Sequence, residues 1–164
     1  MNKTYILRKE QVDLKLRRMA LEIAEQNTNE SNIVLAGVMP NGPIMIQALR
    51  QTLAQHFSGT ITEISIEMDK RHPETVELSA KPDLANSVLI LVDDVANSGK
   101  TLTYALKPFL DQHPRKIQTA VLVARTHKLF PIQADYIGFS LATTLQEYID
   151  VEVKDGKIEG AWVA

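Results

Sequence analysis

Five apolar residues in succession, Val88-Leu89-Ile90-Leu91-Val92, end on two carboxylates, Asp93 and Asp94. Three residues later the chain reads Ser98-Gly99-Lys100-Thr101. A run that is apolar at every position is a strand buried on both faces, the pattern of a parallel sheet covered by helices. This feature narrows the fold to an α/β architecture. In open α/β sheets, ligands bind outside the carboxyl ends of the strands, which is where the two acids and the small-residue turn lie. A helix opening at residues 98–101 would bring backbone N–H groups and a positive dipole end to the same place, which suits a phosphate. The two acids suit ribose hydroxyls or a magnesium ion.

Gly99-Lys100-Thr101 also matches the end of a P-loop. That motif needs a glycine five positions earlier, and Asp94 stands there.

The rest of the chain supplies the other units of such a sheet. Tyr5-Ile6-Leu7 reads as a short edge strand. Over residues 9–26, Leu16, Met19, Ala20 and Ile23 recur at helical spacing. Residues 27–31 form a turn cluster and 33–38 a second apolar strand. Met39-Pro40-Asn41-Gly42-Pro43 then leads into a helix with Ile46, Leu49 and Leu53 on one face. Pro43 suits the first turn, where no N–H is needed, so this is a second strand–loop–helix anion site. Residues 60–67 alternate in part and read as a strand. Residues 68–86 are polar and carry Pro73 and Pro82. A polar segment of that length is functional or mobile, or else an ordinary surface hairpin. Residues 101–112 read as a helix that Pro108 kinks or ends, and His113-Pro114 marks a loop. Residues 117–123 form another buried strand, with Arg125-Thr126-His127-Lys128 at its carboxyl end. Residues 134–138 read as a short strand. Residues 148–153 and 158–163 read as a terminal hairpin around Asp155-Gly156, a good tight-turn pair.

At 164 residues the chain fits one domain, 1–164. It has no cysteine, which excludes a disulfide framework and a zinc-thiolate site. His56, His72, His113 and His127 show no metal-ligand spacing; His56 reads as structural and His113 as a loop residue. The opening Met1-Asn2-Lys3-Thr4-Tyr5 has no apolar signal region, and no apolar run approaches membrane-spanning length, so the expectation is a cytoplasmic protein without a membrane partner. A formal charge of -2 argues against a generally basic nucleic-acid binder. It leaves open a local patch from Lys3, Arg8, Lys9, Lys15, Arg17 and Arg18, which reads either as a solvated helix face or as a surface for RNA phosphates.

The stretch from Val88 to Thr101 resembles the phosphoribosyl pyrophosphate signature of type I phosphoribosyltransferases. Asp93, Asp94, Ser98, Gly99 and Thr101 match it, while Ala96 and Asn97 fit more loosely. The opening Ile6-Leu7 with Glu10-Gln11, the run from Val121 to Gly138, and the chain length are similar to the pyrimidine operon attenuation regulator/uracil phosphoribosyltransferase branch. Three positions depart from it. Ala124 replaces an acid, Thr126 a glycine, and Asn41 the arginine of the pyrophosphate loop.

The resemblance implies a mainly parallel twisted sheet flanked by helices, with a small hood from about residues 124–164. It implies transfer of ribose 5-phosphate from phosphoribosyl pyrophosphate to a nucleobase, uracil being favoured and a purine the other option, with release of pyrophosphate. The alternative is a nucleotide-sensing, RNA-binding regulator of pyrimidine gene expression. Mg²⁺ is the implied cofactor, and a homodimer or higher homo-oligomer the implied assembly. By this resemblance Asp93 and Asp94 hold the ribose and, through it or through water, the metal. Arg71 joins them as a catalytic residue from a loop that closes over the site. Val95, Ala96, Asn97, Ser98, Gly99, Lys100 and Thr101 wrap the 5-phosphate. Val38, Met39, Pro40, Asn41 and Gly42 form the pyrophosphate loop. Arg125, His127, Tyr148 and Ile149 meet the base.

Overall fold

A computed structural model describes residues 3–142 and 147–164. In chain order the elements are β1 (Thr4–Arg8), α1 (Lys9–Gln26), β2 (Asn32–Val38), α2 (Gly42–His56), β3 (Thr60–Met68), β4 (Val76–Leu78), β5 (Val88–Ala96), α3 (Lys100–Ala105), α4 (Lys107–Leu110), β6 (Lys116–Arg125), β7 (Tyr136–Leu141), β8 (Ile149–Lys154) and β9 (Lys157–Val163).

The apolar run at 88–92 does what its composition requires. It forms β5, in the interior of a six-stranded sheet ordered β4-β3-β2-β5-β6-β7. All neighbours pair in parallel except β3 and β4. Val88, Ile90 and Val92 point into one core, shared with α1 and α2, and Leu89 and Leu91 into the other, shared with Leu102 and Phe109. Strand β2 is split the same way, Ile33 and Leu35 facing the first core, Val34 and Ala36 the second. Side chains alternate across a strand, so only an unbroken apolar run can feed two cores.

The chain moves outward from β2 to β3 and then returns to place β5 on the other side of β2. That reversal is the topological switch point, and in an open α/β sheet it opens the binding crevice at the strands' carboxyl ends. Here the crevice lies between the ends of β2 and β5. Beside it, the start of α2 packs tightly on both strands. A Cβ on Gly42 would stand 2.6 Å from the Val92 carbonyl oxygen and 2.7 Å from the Gly37 carbonyl carbon. Gly42 therefore lets the start of α2 press against both strands. Gly42→Ala should lower stability by about 1–3 kcal/mol, the usual cost of overpacking, measurable as a lower urea midpoint with an unchanged slope.

Several expectations shift. The hood assigned to about 124–164 is a separate three-stranded sheet, β1-β9-β8, that draws Thr4–Arg8 from the chain's start. Residues 124–141 instead run into the large sheet through the end of β6 and β7. Asp155 (φ 51°) and Gly156 (φ 73°) make the tight turn of the β8–β9 hairpin in the small sheet. The helix expected over 101–112 breaks at Leu106 into α3 and α4, with Pro108 in the first turn of the second piece. The polar segment 68–86 is not one open loop. It contains β4, paired antiparallel to β3, and Leu84 is buried in the second core.

Much of the basic patch is used internally. Arg18 pairs with Glu22 and donates to the Ile137 and Gly138 carbonyls (3.0 and 2.8 Å), covering the β7 edge. Lys9 pairs with Asp13, and Lys3 lies over the Trp162 ring. No described helix is long and apolar enough to cross a membrane.

Candidate phosphate and sugar site

Strand β5 carries the acid pair further than the sequence reading placed it. The strand continues through Asp93 and Asp94 to Ala96, so both carboxyls sit on regular backbone. Asp93 is 1% exposed. Its Oδ1 accepts from the Asp94 N–H at 2.9 Å, and the Lys70 ammonium spans both of its oxygens at 3.2 and 3.1 Å. Asp94 is more open. It accepts from the Val95 N–H at 2.8 Å and from Asn41 Nδ2 at 2.7 Å. Burial, and then the carboxylate of Asp94 alongside, push the Asp93 carboxyl up to about 8, against the pull of Lys70.

A cavity of about 330 Å³ opens in front of Asp94. Asp94 and the whole run Val95, Ala96, Asn97, Ser98, Gly99, Lys100 and Thr101 line it. Gly99 adopts φ 83°, a left-handed turn that favours glycine, and its carbonyl accepts from Thr103 N–H and Oγ1. The Ser98 carbonyl accepts from the Leu129 and Phe130 N–H groups at 2.9 and 3.0 Å. The loop after β6 thus buttresses the turn from behind, a role that no local sequence signal marks. Helix α3 has only six residues. Its dipole is correspondingly slight, so anion binding here would rest on the turn's own N–H groups and the Ser98 and Thr101 hydroxyls. Gly99→Ala would force a side chain into the left-handed region, with its Cβ 3.1 Å from the Ile132 carbonyl oxygen. It should destabilise the protein by about 1–2 kcal/mol and, if the turn is the anion site, weaken phosphate binding as well; calorimetric titration with ribose 5-phosphate checks the second effect.

The pyrophosphate-loop residues divide. Pro40 and Asn41 line the cavity; the Met39–Pro40 peptide is cis. Val38 is fully buried, Met39 is half exposed with its N–H on the Ile66 carbonyl, and Gly42 is packing rather than lining. From the small sheet, Tyr148 and Ile149 also face the cavity, joined by Asp150 and Val151, which the sequence reading did not single out. A neighbouring hollow brings Arg125, His127 and Tyr148 together with Asn97 and Ser98. Arg125 donates to the Glu147 carbonyl at 2.6 Å. Three of the four residues assigned to the base therefore share one hollow, and Ile149 lies in the larger cavity beside it.

Arg71 does not join the acids. It stands one position past Lys70, with its N–H on Asp69 Oδ1 at 2.9 Å and its carbonyl accepting from Lys100 Nζ at 3.0 Å. Lys70 is the hairpin residue that reaches the cavity. The reason is local. The Asp69 carboxylate accepts from the Arg71 and His72 N–H groups, which bends the turn and also holds the Asp69 carboxyl below its ordinary range. Asp135 is structural, its carboxylate accepting from the Thr119 N–H at 2.9 Å.

Residues 3–155 match the family model of the phosphoribosyl transferase domain. The chain belongs to the phosphoribosyl transferase family. Within it, this family member is 33% identical over 156 residues to the bifunctional protein PyrR of Fusobacterium nucleatum, covering 88% of each chain. It is 34% identical over 156 residues to that of Ligilactobacillus salivarius, covering 87% of this chain and 88% of the other. Among solved structures it superposes on the hypoxanthine phosphoribosyltransferase of Trypanosoma cruzi with a TM-score of 0.80 at 16% identity, covering 98% of this chain and 95% of that one. On a hypoxanthine-guanine phosphoribosyltransferase of Bacillus anthracis the TM-score is 0.74 at 20% identity, covering 99% and 97%. The fold is the type I phosphoribosyltransferase fold, and the sequence places the chain close to the PyrR and uracil phosphoribosyltransferase branch.

Proposed function

We propose that the crevice binds a ribose 5-phosphate unit, as phosphoribosyl pyrophosphate or as a nucleotide. The observation that carries this is the contiguity of Asp94 and the run from Val95 to Thr101 along one cavity wall, with Asp93 buried directly behind Asp94. The turn takes the 5-phosphate; the carboxyls of Asp93 and Asp94 take the ribose hydroxyls. Mg²⁺ suits this donor set. A lysine ammonium already spans the Asp93 oxygens, and no group of three His, Cys, Asp or Glu among the described residues could hold a metal alone. Mg²⁺ commonly takes one or two carboxylates and completes its shell with water and substrate phosphates. When bound, it would neutralise charge on the pyrophosphate.

Two uses of the site follow. In the first, the chain transfers ribose 5-phosphate to a nucleobase. Displacement at the anomeric carbon builds positive charge on the sugar, so the protein's tasks are to fix the sugar and leave carboxylate charge near it. The hollow lined by Arg125, His127 and Tyr148 takes the acceptor base, uracil favoured. In the second, the same pocket senses a nucleotide and the protein acts as an RNA-binding regulator. Two observations favour this second use. The relatives at 33–34% identity carry the name bifunctional protein PyrR, and Asn41, an uncharged residue, occupies the pyrophosphate loop with its side chain committed to Asp94.

The deciding assay measures pyrophosphate release from phosphoribosyl pyrophosphate and Mg²⁺ with uracil, hypoxanthine, guanine, xanthine, adenine and orotate in parallel. Release with one base establishes transfer and names the acceptor. No release, together with nucleotide binding and RNA affinity that falls steeply with salt, establishes the regulator. Absence of both activity and binding overturns the assignment of the crevice.

A further inference from the structure

Asn41 reaches from one wall of the crevice to the other. It stands at the start of α2, where an asparagine ordinarily turns its side chain back onto the first N–H groups of its helix. Here it does not. Its backbone is helical (φ −95°, ψ −16°) where a side-chain cap is extended, and the side chain makes no capping bond. Pro43, in the first turn of α2, has no N–H to offer it. The side chain turns instead to β5 and donates from Nδ2 to Asp94 Oδ2 at 2.7 Å, 53 residues further along the chain. Close packing fixes the span. Gly42, the next residue, brings α2 so near β5 that a Cβ would stand 2.6 Å from the Val92 carbonyl oxygen. Asp94 lies just beyond Val92 on the same strand. The hydrogen bond therefore joins two backbones that are already held together.

The other oxygen of Asp94 is held too, since Oδ1 accepts from the Val95 N–H at 2.8 Å. One bond to each oxygen fixes the plane of the carboxylate, and each oxygen keeps lone-pair capacity for a further donor. We infer that Asn41 is a positioning residue for sugar recognition, holding the Asp94 carboxylate in the orientation that meets the ribose hydroxyls. This rests on the ribose 5-phosphate reading of the crevice. It reassigns the polar side chain of the β2–α2 loop from the pyrophosphate to the sugar. A carboxylate without such a partner turns about its broad terminal torsion, and a ligand must order it at a cost in affinity. A carboxylate already held meets the hydroxyls without that cost. An acceptor arranged in advance for a hydroxyl also discriminates against a ligand that lacks it. Asn41 thereby sharpens the preference of the site for ribose over 2-deoxyribose. A neutral amide can do this while leaving Asp94 its full negative charge, which a cation at the same place would offset.

The test compares two ligands on three proteins by calorimetry in Mg²⁺: ribose 5-phosphate and 2-deoxyribose 5-phosphate, on the unaltered chain, Asn41→Ala and Asn41→Asp. Asn41→Asp keeps the shape of the side chain and suits a helix start, so it folds even where Asn41→Ala does not, and circular dichroism checks both. Its ionised carboxylate cannot donate to Asp94. The charge it adds weakens both sugar phosphates alike, so the ratio of the two affinities reports only on the hydroxyl. The unaltered chain should prefer the ribose ligand by about tenfold or more. In the folded variants that preference should shrink by about five- to tenfold, the scale of one hydrogen bond to a charged group. A purely structural role for Asn41 would lower both affinities together and leave their ratio unchanged. An unchanged ratio, or an unaltered chain that binds the two sugars equally, overturns the positioning role while leaving the phosphate assignment intact. Failure of the unaltered chain to bind either ligand would overturn the site assignment itself.

Discussion

The Asp93→Asn, Asp94→Asn double variant should fold as the unaltered protein does and lose at least about a hundredfold in affinity for phosphoribosyl pyrophosphate, and any turnover with it. The fold should persist because both side chains keep their shape and one acceptor oxygen each, the losses being the Asn41 contact to Asp94 Oδ2 and one of the two Lys70 contacts to Asp93. The Asp94 and Val95 N–H groups, which donate to Asp93 Oδ1 and Asp94 Oδ1, still find an amide carbonyl there. Burial is unchanged, and no apolar contact is lost. The function should fail because the charge of Asp94 and the ionisable carboxyl of Asp93 both disappear from the crevice. With them goes the capacity to accept strong hydrogen bonds from ribose hydroxyls and to hold Mg²⁺. Removing one charge-stabilising contact in a water-poor site commonly costs a factor of about 10²–10³ in turnover, and hydrogen bonds to a charged group contribute about 1.5–3 kcal/mol each to binding. Circular dichroism and calorimetric titration separate the two halves of this expectation. A folded double variant that binds as tightly as the parent would remove the acids from the site.

The single variant Asp93→Asn should be more stable than the parent at pH 8, and the gain should vanish on acidification. Asp93 has its carboxyl raised from 3.8 to about 8, so the folded state binds a proton that the unfolded state releases. Between those values the slope of unfolding free energy with pH is negative, and the native residue costs stability progressively as pH rises from about 4 to about 8. Above that window the cost is constant; below it the cost is absent. One pKa unit corresponds to about 1.4 kcal/mol, so even half of the shift gives a gain near 3 kcal/mol at pH 8. For a chain of this size that raises the melting temperature by roughly 6–12 °C. The loss of the Lys70 contact works against the gain, since removing one partner strands the other's charge. Lys70 is partly solvated, however, and the burial of Asp93 is the larger influence. Thermal melts of both proteins in a chelator, at pH 5 and pH 8, give the comparison. A variant less stable than the parent at pH 8, or a gain that is equal at both pH values, would contradict this electrostatic account of Asp93.

What the sequence made legible were features encoded over short distances. The doubly buried strand was readable because five consecutive apolar residues satisfy two cores at once. The Asp155-Gly156 turn was readable because that pair tolerates left-handed backbone, and the break before α4 because proline is tolerated only in a helix's first turn. The stretch lining the cavity was readable because Asp94, Ser98, Gly99 and Thr101 lie close together in the chain. The misplacements arose where position depends on distant partners. Thr4–Arg8 is a plausible edge strand anywhere, and only its pairing with Lys157–Val163 puts it in the small sheet. Arg71 and Lys70 are indistinguishable as neighbouring cations until the Asp69 carboxylate bends the turn. The Leu129 and Phe130 backbone contacts to Ser98 carry no side-chain signature at all.

The central claim is that the turn from Ala96 to Thr101 and the acid pair before it hold one ribose 5-phosphate. A crystal structure with ribose 5-phosphate and Mg²⁺ tests this without reference to any base. The account predicts the phosphate against the turn, within hydrogen-bond reach of its N–H groups and the Ser98 and Thr101 hydroxyls, with the sugar hydroxyls directed at Asp93 and Asp94. A sugar phosphate bound elsewhere, or bound in the cavity with its phosphate away from that turn, would contradict it.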